Sequence, residues 1–105
     1  MTKQDKFDLL LGLVAAFDEA GEVTRGTMMG FPCLRRAGKF FVCLDRDGTS
    51  LIVKLPAERV SELVSQGAGL SFAPAGRVFR EWIEVPKDRA EAWPGYIREA
   101  LAFAS

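Results

Sequence analysis

Apolar residues recur at spacings of three and four near the start of the chain, where Phe7, Leu10, Leu11, Val14 and Phe17 alternate with Asp5, Asp8 and Glu19. This 3.6-residue period predicts an amphipathic helix from about Thr2 or Asp5 to Ala20, its carboxylates toward water and Gly21 closing it. Beyond Gly21 the period becomes two. Glu22 to Met28 and Phe31 to Arg36 are strand segments with a break or bulge at Gly30-Phe31-Pro32. Ala37-Gly38 turns the chain into Lys39–Leu44, and Asp45-Arg46-Asp47-Gly48-Thr49 turns it into Leu51–Leu55, completing a three-strand antiparallel meander. Pro56 suits the first position of a helix with Val60, Leu63 and Val64 on its apolar face. Leu70–Ala73 and Val78–Val85 then read as a strand pair. A last helix starts at Asp88 or Trp93, with Trp93, Ile97, Ala100, Leu101 and Ala104 aligned. The fold class expected is α+β, a two-layer α-β(3)-α-β(2)-α arrangement with a five-stranded antiparallel sheet.

Length and composition narrow this to one domain. With 105 residues, about half of them apolar, the chain can bury roughly two-thirds of its unfolded surface without staples. Fourteen basic residues balance fourteen acidic ones, so no global field draws it to phosphate, although a local basic patch stays open. No apolar run is long enough to span a membrane, and the amino terminus lacks the pattern of an export signal. A cytoplasmic protein with free thiols at Cys33 and Cys43 is expected.

The chemistry available is sparse. The chain has no histidine, which removes the commonest general base and metal ligand at neutral pH and every Ser-His or Cys-His pairing. Two cysteines are too few for a structural zinc site, and Asp45-Arg46-Asp47-Gly48 lacks the closing glutamate of a calcium loop. No catalytic residue, cofactor or metal ligand is assigned, and no enzymatic activity is expected.

Several stretches carry a resemblance. Arg25-Gly26-Thr27-Met28-Met29-Gly30-Phe31, Gly38-Lys39-Phe40-Phe41, Leu51–Leu55 and the late strand ending in Trp82 resemble the TfoX amino-terminal domain family and the related YjbR (MmcQ-like) family over almost the whole chain. The resemblance implies a single small α+β domain over residues 1–105 with the element order given above. It associates TfoX-like proteins with competence regulation and YjbR-like proteins with DNA binding.

Two functional readings follow from the residues. If Val78–Val85 is a regular strand, Arg80, Trp82 and Glu84 share one face, and Phe41, Cys43, Ile52 and Lys54 join them on the side away from the helices. Phe41, Ile52, Lys54, Arg80, Trp82 and Glu84 would then form a surface for a protein partner or a second copy, with Trp82 as its anchor. The bland alternative is that a loop or the last helix folds over Trp82 and makes it core. The second reading is nucleic-acid binding at basic hairpin tips, with Arg35, Arg36 and Lys39 at one turn and Arg77 and Arg80 at another.

Overall fold

The structure, a computed structural model, describes residues 2–18 and 21–104. In chain order it has α1 (Lys3–Val14), β1 (Val23–Met28), β2 (Phe31–Arg36), β3 (Lys39–Leu44), β4 (Ser50–Lys54), α2 (Ala57–Ser65), β5 (Leu70–Ser71), β6 (Trp82–Pro86) and α3 (Trp93–Ala104). The fold is α+β, with three α-helices and one antiparallel sheet among the described residues.

Thr2 and Asp5 decide where α1 begins. The Thr2 hydroxyl accepts from the Asp5 N–H at 3.0 Å, and the Asp5 carboxylate accepts from the Thr2 N–H at 3.1 Å, so two otherwise orphaned donors are satisfied reciprocally. Those bonds hold the Asp5 carboxyl below its ordinary pKa. The helix closes at Ala15, well before the expected Ala20, so Gly21 does not cap it. The part of that expectation that concerns Glu19 and Ala20 lies outside the described residues. At the other end of the chain, α3 starts at Trp93 and carries Pro94 in its first turn, where a missing N–H costs no helical bond.

Among the described residues the sheet has six strands, not five, in the order β1-β2-β3-β4-β6-β5. The extra strand comes from the stretch 22–36, which is a hairpin. Met28 pairs with Phe31 across Met29 and Gly30, whose φ values of 51° and 82° are those of a two-residue type I′ turn. Ala37 and Gly38, at 54° and 78°, repeat the device between β2 and β3. The expected strand 78–85 is also corrected. β6 begins only at Trp82, β5 is a two-residue edge, and the chain between Phe72 and Glu81 is a loop tied across its base by Phe79 N–H to Phe72 C=O at 3.0 Å.

Two apolar clusters lie on opposite sides of the strands. The larger joins Phe7, Leu10 and Val14 of α1, Val60 and Leu63 of α2, and Trp93, Ile97, Ala100, Leu101 and Ala104 of α3 to strand residues including Leu34, Phe41, Val42, Leu51, Val53, Ile83 and Val85. Trp93 is anchored there by its indole N–H, which donates to the Val85 carbonyl at 3.1 Å. The smaller cluster contains Cys33, Cys43, Ile52, Phe72 and Trp82, with Met28, Phe31, Phe40 and Phe79 packed against it, and none of these residues is helical. No helix among the described residues is long and apolar enough to cross a membrane.

The expectation of free thiols is overturned. Cys33 and Cys43 are direct partners across β2 and β3, their Cα atoms 4.1 Å apart, and they form a disulfide buried in the smaller cluster. Neighbouring strands bring the two side chains to one spot on one face, a proximity that the ten-residue spacing does not disclose. A Cys33→Ser/Cys43→Ser variant should keep the fold and lose about 2–3 kcal/mol of stability, read by urea unfolding. Thiol titration of the denatured, unreduced protein should find no free thiol. Two reactive thiols would restore the sequence expectation.

Candidate functional site

The side of the sheet without helices is built by alternation, with one irregularity. Cys33 pairs with Cys43 and Leu34 with Val42, but Arg35 pairs with Phe40, so Phe41 is an extra residue in β3. The bulge lets Phe41 and Val42 both enter the helix-side core and puts Phe40 on the other side, next to Arg35. Phe41, expected to face outward, is therefore fully buried under the helices.

The remaining outward candidates divide. Ile52 and Trp82 do lie on the helix-free side, but at 1% and 7% exposure they are core, not surface. Of the two placements open for Trp82, the structure shows the loop cover: Phe72 packs against the indole with ring centroids 6.4 Å apart. Phe72 also meets Phe31 and Phe79, each at 5.8 Å, which makes it the hub of this side. Lys54 pairs with Glu81 at 3.9 Å, and Glu84 accepts a hydrogen bond from the Ser50 hydroxyl at 2.9 Å. Arg80 leaves the group because it precedes β6; it is exposed and lines a groove of about 710 Å³ beside α2.

The basic candidates separate by face as well. Arg36 turns to the helix side, where it donates to the Leu101 carbonyl at 3.4 Å and pairs with Glu22 at 3.6 Å. Lys39, its strand partner, is exposed beside Phe103 and Ala104 of α3. Arg35 lies on the opposite side, its guanidinium 5.3 Å from the centre of the Phe40 ring and its Nε buried without a partner. Gly26 of β1 makes room for this pair, since a Cβ there would stand 2.7 Å from Phe40 Cε1 and 3.1 Å from Arg35 Nε. Arg77 covers Phe79 at 5.7 Å.

A residue not picked out from the sequence completes the set. Arg46, in the turn between β3 and β4, lies 5.6 Å over the Phe31 ring and donates to the Met29 carbonyl at 3.4 Å. Its flanking aspartates disguise it in the sequence, yet Asp45 is turned inward to accept from Thr49 N–H, Thr49 hydroxyl and Ser50 N–H. Three arginines thus each lie over a half-buried phenylalanine around the smaller cluster. None of the three has a carboxylate partner among the described residues. Arg59 of α2, which reaches Glu99 of α3, is the contrast: hydrogen bonds to Glu99 and then Glu62 raise its pKa and use up its charge internally.

No protein-family model matches the chain, and no curated protein matches its sequence.

Because Trp82 is packed under Phe72, Trp82→Ala should lower folding stability by roughly 3–5 kcal/mol. Urea unfolding measures that loss. A variant with unchanged stability and altered assembly would return Trp82 to an interface role.

Proposed function

We propose that the chain is a two-layer, non-catalytic binding module whose helix-free sheet face takes nucleic acid. The observation that carries this reading is the ring of Arg35, Arg46 and Arg77, each stacked on an aromatic and free of carboxylate partners among the described residues. Guanidinium groups supply charge-assisted donors to phosphate, and half-buried phenylalanines supply stacking faces for bases. The stacked geometry also restrains the arginine side chains before binding, which reduces the entropy lost on contact. The lack of histidine supports a role without acid–base chemistry. The resemblance to the YjbR-like family adds to the case by analogy of fold.

A second reading, association of two copies, has one observation in its favour. Val78 and Leu70 are 56% and 55% exposed, and Val78 shares the groove beside α2 with Val60 and Val64. Sedimentation across a concentration series separates the two readings, since a nucleic-acid module needs no dimer.

The proposal is tested by titrating mixed-sequence oligonucleotides, single-stranded and duplex, at several salt concentrations. With three to four phosphate contacts, binding should weaken about 20- to 50-fold between 50 and 200 mM salt for a single strand, and about 40- to 150-fold for a duplex. No binding to either form at low salt would overturn it.

A further inference from the structure

We infer that the ligand of this face is a single strand that seats a base carrying an exocyclic amino group in the cleft between Phe31, Phe72 and Glu84; this deepens the nucleic-acid reading and rests on it. The cleft holds about 300 Å³ and is also lined by Asp45, Ile52 and Ser71. Its chemistry is two-sided. The half-buried Phe31 ring offers the plane of a base one wall over a floor of buried Phe72 and Ile52, and two carboxylates stand where a phosphate would be repelled. The cations stand at its rim: Arg46 lies over Phe31, which lines the cleft, and Arg77 lies over Phe79, whose ring is 5.8 Å from Phe72.

A duplex presents its phosphates outward and would set some of them against Asp45 and Glu84. A single strand can turn a base into the cleft and leave its phosphates on the arginine rim. The acceptor for that base is Glu84. The Asp45 carboxylate is occupied by Thr49 and Ser50, and Glu84 Oε2 accepts from the Ser50 hydroxyl, but Glu84 Oε1 accepts no hydrogen bond among the described residues. A free carboxylate oxygen accepts from the exocyclic amino group of cytosine, adenine or guanine; thymine has only its ring N3–H, flanked by two carbonyl oxygens that a carboxylate repels.

Fluorescence anisotropy with labelled oligo(dC), oligo(dT) and a mixed-sequence duplex tests this. Oligo(dC) should bind about tenfold more tightly than oligo(dT) and more tightly than the duplex. Glu84→Gln, which removes a charge that repels phosphate and offers a donor to the thymine carbonyls, should narrow the gap between dC and dT chiefly by tightening dT binding. Phe79→Leu, which keeps an apolar cover and removes the ring, should weaken every single strand by roughly fivefold or more. Arg77→Ala lies on an exposed loop and should lower affinity while reducing the salt slope by about one contact, whether or not Glu84→Gln folds. Equal or tighter duplex binding, or equal dC and dT binding by the unaltered chain, overturns the inference and leaves the nucleic-acid reading standing. Absence of binding to all three at low salt overturns both.

Discussion

One extra residue in β3 governs both sides of the sheet. Without the bulge at Phe41, strict alternation from Val42 and Leu44 would send Phe40 under the helices and Phe41 to the other face. With it, Leu34 of β2 is met by two large side chains in the helix-side core, and α3 has Phe41 and Val42 beneath it. The same shift moves Phe40 to the face where Arg35 lies and where Gly26 has no side chain to obstruct them. Core packing and the Arg35–Phe40 platform are therefore two results of one irregularity in register.

The unequal treatment of the two faces follows. Helices cover one side, where the cluster's core is almost completely buried and only a margin including Leu11, Leu13 and Phe17 is partly exposed. The other side has only the loop 72–81, and that loop brings two rings. Phe72 is 3% exposed and closes over Trp82, Ile52 and the disulfide, while Phe79, Phe31 and Phe40 remain half-buried at the margin. A ring left half in water still offers its face, and a guanidinium laid over that face is attracted by the ring quadrupole at modest cost to its hydration. Each of the three half-buried rings on this side is matched by an arginine, as Phe7 and Phe17 on the helical side are by Arg25 and Arg98; what distinguishes this side is that three such pairs surround one cluster.

α3 was legible because its apolar stripe is strong, Trp93, Ile97, Ala100, Leu101 and Ala104 being buried as the 3.6-residue period requires; in α1 Phe7, Leu10 and Val14 keep that period, but Leu9, Leu11 and Leu13 blur the stripe and the helix ends at Val14. The hairpin at Met29-Gly30 was only half legible, since methionine rarely adopts positive φ and the glycine alone signals a bulge as readily as a turn. Phe40-Phe41 could not be resolved by pattern, because two adjacent phenylalanines fit either register and only the packing of Leu34 selects one. Trp82 misleads for a related reason. Its alternation with Glu84 correctly places it away from the helices, but a pattern of two reports which face a side chain takes and not what covers that face. Arg46 with Phe31 and Cys33 with Cys43 are pairings between separate segments, set by strand order and invisible to local periodicity.

A balanced total charge is consistent with a charged face, because screening in salt acts over about 10 Å and a ligand at the surface responds to what lies within that range. On the helical side Arg59 is consumed by Glu62 and Glu99, and Arg36 by Glu22 and the end of α3, while Arg25 and Arg98 lie over Phe7 and Phe17. On the other side the carboxylates are the engaged partners: Asp45 holds its own turn, Glu81 pairs with Lys54, and Glu84 accepts from Ser50. Engagement does not remove their negative charge, so the face is a pattern and not a uniform field. Arginine stands at the rim and carboxylate at the centre, with aromatic rings between them. Such a pattern opposes a ligand that is anionic throughout its contact surface, and it suits one whose anionic groups are spaced by flat, hydrogen-bonding, uncharged ones.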